Sequence, residues 1–132
     1  MKIHIGPYPK TSKTKRKIKV QINGYDLWNL HHSLALVILP ALKLFAKNSG
    51  GTAFVKDKDV PKELRNGDVD HCEKKWKYVL DEMVWAFERE VNEDILYPGA
   101  FSEEQIKKYN DEVARARNGL LLFAKYYGSL WN

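Results

Sequence analysis

Tyr25–Phe45, YDLWNLHHSLALVILPALKLF, decides the fold. Its head, Tyr25–His32, is aromatic, polar and imidazole-bearing, and its tail is almost wholly apolar, broken by Pro40 and Lys43. A surface helix carries one apolar stripe with polar residues between. Here Leu34, Ala35, Leu36, Val37, Ile38 and Leu39 are consecutive, so every side of a helix through them is apolar. A chain of 132 residues has little interior in which to hide such a helix, and a second subunit is expected around it. Asp26 is the expected N-cap of a helix over Leu27–Lys47, Pro40 is expected to kink it near Val37–Leu39, and Asn48-Ser49-Gly50-Gly51 stops it.

Outward from this segment, periodicity defines two more helices. Trp76, Val79, Leu80, Met83, Phe87 and Val91 recur at spacings of three and four within about Asp70–Asn92 and read as a core stripe. Tyr78, Asp81, Glu82, Trp85, Glu88 and Arg89 fall on the opposite side. After a loop at Asn92–Phe101, Ser102 with Gln105 three residues on is a capping box for the third helix. The stripe expected there is Ile106, Tyr109, Val113, Ala116, Leu120, Phe123, Tyr127 and Leu130. Pro61–Arg65 reads as a short helical turn in the loop after the first helix. On the N-terminal side, residues 1–12 read as irregular. KRKIKVQI, residues 15–22, alternates Ile18, Val20 and Ile22 with Lys17, Lys19 and Gln21, the period of a half-buried strand. Asn23-Gly24 ends it. Its expected partner is another subunit or the Lys2–Ile5 stretch. The expected architecture is therefore mainly α: an oligomeric helical bundle of three long helices with a short N-terminal β-strand.

Hydrophobic content of 44% and charged content of 30% suit one soluble globular domain. The longest apolar run falls short of the roughly 20 residues that span a bilayer. The N-terminus has no apolar signal region, and the single cysteine, Cys72, forms no intrachain disulfide. The net charge of +5 is uneven. Residues 1–19 carry Lys2, Lys10, Lys13, Lys15, Arg16, Lys17 and Lys19 and no acid, leaving fifteen Lys/Arg against seventeen Asp/Glu beyond them. The chain divides into a basic arm, residues 1–16, and a helical domain, residues 17–132. Such an arm fits an anionic partner such as nucleic acid, here through residues 10–19, or it is simply a solvated terminus.

Spacing offers no enzyme. Adjacent His31 and His32 point about 100° apart on a helix and cannot chelate one ion together. No zinc-binding, Walker or nucleophile-elbow motif occurs. His71-Cys72 has no third group at a telling spacing, and Glu82 and Glu88, six apart, are a poor carboxylate pair. No catalytic residue, metal site or cofactor is expected. A non-covalent constellation is richer. Tyr25, Trp28, Trp85, Tyr126, Tyr127 and Trp131 supply ring faces, and Arg115, Arg117, Asn118 and Lys125 supply phosphate and base-edge donors. Rings of this kind also serve as core or interface. Trp85, opposite the main stripe, fits an oligomer interface or a ligand pocket within one.

These residues also carry a family resemblance. Tyr25-Asp26-x-Trp28, His32-x-Leu34-Ala35-Leu36, Ile38-Leu39-Pro40, Asp59-Val60-Pro61 with Leu64-Arg65, Trp76-x-x-Val79-Leu80-Asp81-Glu82-Met83-x-Trp85-Ala86-Phe87-Glu88, Asn118-Gly119, Phe123, Lys125-Tyr126-Tyr127 and Leu130-Trp131 together resemble a widespread family of small tailed-phage proteins. The likeness covers residues 17–132, with His31 standing where the pattern has an Asp. It points to the anti-CBASS sponge family, which sequesters cyclic oligonucleotide immune signals. The resemblance implies a helical homotetramer in the cytoplasm of the infected bacterial host. Its partner would be a cyclic dinucleotide such as 3'3'-cGAMP, bound without cleavage. On that reading Arg115 or Arg117 and Lys125 hold phosphate, Trp28 and Tyr126 stack, and Asn118 meets a base edge. The alternatives are a nucleic-acid-binding accessory protein acting through the basic arm, and a structural or host-protein-binding module in which Trp85 and Trp131 make interface.

Overall fold

The structure, a computed structural model, describes residues 1–11, 13–65, 69–92 and 102–131, with only the backbone of 69 and 70. The expected loop at Asn92–Phe101 lies, after its first residue, outside the described residues. The chain is mainly helical, with three long helices and a small N-terminal sheet. Two compact units are present, Met1–Leu34 and Ala35–Asn132.

In the N-terminal unit, β1 (Lys2–Ile5) pairs antiparallel with β2 (Ile18–Gln21) in the register Lys2↔Gln21, Ile3↔Val20, His4↔Lys19 and Ile5↔Ile18. The strand partner is thus the chain's own Lys2–Ile5, in a stretch expected to be irregular. All eight strand residues are exposed, so β2 is not the half-buried strand that its alternation suggested. Two strands alone have no second layer to bury against. The ribbon is tied beyond the strands: the Gly6 amide donates to the Lys17 carbonyl at 2.8 Å, and Arg16 Nε donates to the Gly6 carbonyl at 2.5 Å. The Arg16 guanidinium also lies 4.2 Å from the Tyr8 ring centroid.

A 3₁₀ turn, Gly24–Leu27, follows. Asp26 belongs to this turn and is not the N-cap of the first α-helix. Its Oδ2 accepts from the Asn23 amide at 2.8 Å, and its Oδ1 pairs with the Met1 ammonium at 2.6 Å. The turn displaces the start of α1, which spans Leu30–Asn48 and runs through Pro40. By length and composition α1 could cross a membrane, although its uninterrupted apolar run is shorter. Only Ala35, Leu39 and Leu42 are buried on it. That stripe belongs to a core of the second unit, whose fully buried centre is Met83 and Val79.

Helix α2 (Val69–Val91) supplies more of that core than any other element, with Trp76, Val79, Leu80, Met83 and Phe87 buried where the periodicity placed them. Helix α3 (Glu103–Tyr126) starts at the expected capping box: Ser102 Oγ accepts from the Gln105 amide at 3.3 Å, and Gln105 Oε1 accepts from the Ser102 amide at 3.0 Å. Its fully buried residues are Gly119, Leu122 and Tyr126, while Val113, Ala116, Phe123 and Leu130 of the expected stripe are half-buried, Phe123 and Leu130 against the core. Ile106, Tyr109, Leu120 and Tyr127 of that stripe are exposed. A shift of one residue turns a helix by about 100°, and Gly119 causes it. A Cβ built on Gly119 would sit 2.5 Å from the Glu82 carbonyl oxygen and 2.6 Å from Ala86 Cβ. Side-chain-free backbone at 119 lets α3 touch α2 there, so the smallest residue, not the largest apolar ones, sets the seam. The same contact buries Glu82, which was expected on the outward side.

Candidate functional site

Glu82 is buried, and a buried carboxylate needs a partner. It receives Arg115 of α3 in a two-point grip, Nη2 to Oε1 at 2.7 Å and Nε to Oε2 at 3.0 Å. This holds the guanidinium over the Trp85 ring, with its Cζ 4.0 Å from the centroid. Trp85 and Glu82 are three residues apart on α2, so the acid and the ring meet one arginine from the same helical side. The hydrogen-bonded carboxylate raises the Arg115 pKa further, burial notwithstanding. Burial, and then the Glu82 charge, raise the nearby Tyr78 phenol. The Trp85–Arg115 stack forms one end of a groove of about 630 Å³ along the first half of α3. Lys107, Lys108 and Arg115 there face Glu104, Asp111 and Glu112, so the lining is balanced in charge and does not concentrate anions.

A second cluster lies at the other end of α3. Asp59 ends a 3₁₀ turn begun at Asp57, and its Oδ2 accepts from Lys125 and, at 2.6 Å, from the Tyr126 hydroxyl. The same hydroxyl accepts from the Lys56 amide at 3.1 Å. Burial works against the Asp59 carboxylate, but the two hydrogen bonds and the charges of Lys125 and Lys58 prevail and lower its pKa. The Tyr126 pKa is raised, by burial and then by its bond to Asp59. On the first half of α2, Lys75, itself buried, donates to Asp57 at 2.5 Å. The cluster pins the 52–65 loop to both helices.

The expected ligand residues are therefore placed unevenly. Lys125 and Tyr126 meet, but around Asp59. Tyr126 is 6% exposed and packs edge-on to Trp76, with centroids 6.0 Å apart, so its ring is core and offers no face to a base. Arg115 serves Glu82 and Trp85, and its side chain remains 47% exposed. Arg117 and Asn118 are exposed on α3, Asn118 one turn beyond Arg115. Trp28 belongs to the N-terminal unit, where it is 91% exposed near Tyr25, itself 72% exposed. Sequence reasoning missed Glu82 and Asp59, the carboxylates that organise both clusters. Among the described residues no three His, Cys, Asp or Glu side chains gather as a metal site would require.

No model of a known protein family, no curated protein and no solved structure matches this chain.

Proposed function

We propose that this chain is a non-catalytic binding protein that works as a homo-oligomer. Its ligand class follows from the family resemblance: a cyclic dinucleotide such as 3'3'-cGAMP, held intact in the cytoplasm of an infected bacterium so that host CBASS defence is not triggered. The observation that supports this reading is the uncovered surface of α1. Leu30, Leu34, Leu36, Val37 and Leu44 are 39–62% exposed, on a helix that buries only three residues. Burying such a side chain from full exposure is worth about 1.5–3 kcal/mol; these are already about half covered, so covering the rest of each is worth about 1 kcal/mol, and five together still favour association. The proposed occupant is a second copy, since the same apolar patch on two copies can close about a two-fold axis. A bilayer suits α1 less well: one side of it is already packed in a protein core, and its Lys43 pairs with Glu88 of α2 at 2.6 Å.

At the head of α1, Trp28 and Tyr25 offer exposed rings for stacking, and Arg117 and Asn118 are exposed donors on α3. Arg115 keeps part of its guanidinium at the surface while Glu82 fixes its position. A sponge acts by mass action, which requires a dissociation constant near 1 nM, about −12 kcal/mol.

Light scattering after size-exclusion chromatography, followed by calorimetry against a cyclic-dinucleotide panel, tests the proposal. The expected result is an oligomer that releases heat with one member of the panel and returns it intact after denaturation. Leu36→Asp with Val37→Asp should give a helical monomer that no longer binds. A wild-type monomer, or no heat at micromolar protein, overturns the reading.

A further inference from the structure

The two faces of the N-terminal ribbon differ in chemistry. In an antiparallel pair, residues directly opposite one another share a face, and successive residues alternate. The register therefore puts Lys2, His4, Lys19 and Gln21 on one face, and Ile3, Ile5, Ile18 and Val20 on the other. Pairing continues through Gly6 and Lys17, so Lys17 joins Lys19 on the polar face. Lys10, Lys13 and Lys15 lie in the segment that joins the strands. Against these cations the whole Met1–Leu34 unit has one acid, Asp26, which is buried and committed to the Met1 ammonium and the Asn23 amide. The positive charge of this unit is thus neutralised by none of its own exposed carboxylates.

We propose that the ribbon of β1 and β2 is a double-stranded DNA-binding element that enters the major groove by its Lys2, His4, Lys17, Lys19 and Gln21 face. The B-form major groove admits a two-stranded ribbon, whereas the A-form groove of duplex RNA is too deep and narrow for one. Gln21 can address adenine in that groove, while Lys17, Lys19 and the connecting lysines reach the phosphates along its edges. Single-strand binding leans on several aromatic rings along the working face, and the polar face carries only the His4 imidazole. Arg16 stiffens the ribbon instead, held by the Gly6 carbonyl and the Tyr8 ring.

The test is fluorescence anisotropy of the full chain with a short labelled duplex, with each of its single strands and with the matching RNA duplex, across a salt series. The DNA duplex should bind most tightly, with log K falling against log salt at a slope of about −4, as expected for four or five phosphate contacts. Lys17→Gln with Lys19→Gln should flatten that slope by about 2, with the circular dichroism spectrum of the wild type retained. No binding at low salt, stronger binding to a single strand or to RNA, or an unchanged slope in the double variant would each refute the ribbon. Cyclic-dinucleotide calorimetry on the same double variant keeps the two proposals apart, since loss of DNA binding should leave that heat unchanged.

Discussion

Gly119 on α3 faces the Glu82 carbonyl on α2 so closely that any side chain at 119 would overlap it, with a Cβ placed at 2.5 Å. Alanine in place of glycine inside a helix normally adds about 1 kcal/mol of stability. Here the obstacle is backbone and cannot swing aside, and overpacking costs about 1–3 kcal/mol. Gly119→Ala should therefore destabilise by a net of up to about 2 kcal/mol, read as a lowered urea midpoint. A variant as stable as the wild type would mean that the helices are farther apart than described.

Arg115 and Arg117 stand two residues apart and should behave differently. Removing Arg115 strands the buried Glu82 carboxylate and uncovers one face of Trp85. Losing a buried partner costs about 3–5 kcal/mol, and the half-exposed guanidinium puts Arg115→Ala below that, at about 2 kcal/mol. Arg117→Ala, at an exposed position, should stay within about 0.5 kcal/mol. Parallel denaturant melts of the two variants decide the matter. Equal losses would deny Arg115 its structural role.

Asp59 should make stability depend on acid. Its folded pKa lies below the ordinary value, through Lys125 and Tyr126 acting against burial. A carboxyl lowered in this way contributes stability that is complete above its unfolded pKa, about 3.9, and is lost as pH falls through the folded value. Wild-type stability should thus drop more steeply below about pH 4 than that of Asp59→Asn. Tyr126, raised by burial and by Asp59, acts at the other end, its contribution disappearing as pH rises above about 10. Tyr126→Phe should blunt that alkaline loss. Thermal melts across the pH range would show both effects, and parallel curves for wild type and variants would contradict them.

The α2 stripe and the Ser102–Gln105 cap were legible in the sequence because each is a short-range pattern: apolar spacing in one case, two polar residues three apart in the other. The working face of α3 was not, because Gly119 has no hydropathy by which to announce itself, yet it decides which neighbours are buried. Asp26 has the chemistry of an N-cap, but Asn23-Gly24 before it starts a 3₁₀ turn that claims its carboxylate first. β1 was recognised only as a partner for β2, since four residues of alternating charge and isoleucine are too few to stand alone. The site was legible as a set of residue types and not as a set of pairs. Arg115 and Lys125 looked like phosphate ligands because nothing in spacing links them to Glu82 and Asp59, 33 and 66 residues away.

The Tyr126 hydroxyl bonds to residues 67 and 70 positions earlier in the chain. During synthesis the 52–65 loop can reach Lys75 of α2 through Asp57 early, but its Lys56 and Asp59 contacts wait until the last turn of α3 has emerged. Long-range closure of this kind is slow relative to helix formation. The three helices can thus form before the loop is locked, and the locked loop is a marker of completed folding. Protease nicking within residues 52–65 during refolding should persist after helicity has recovered, and cease only when Tyr126 engages Asp59.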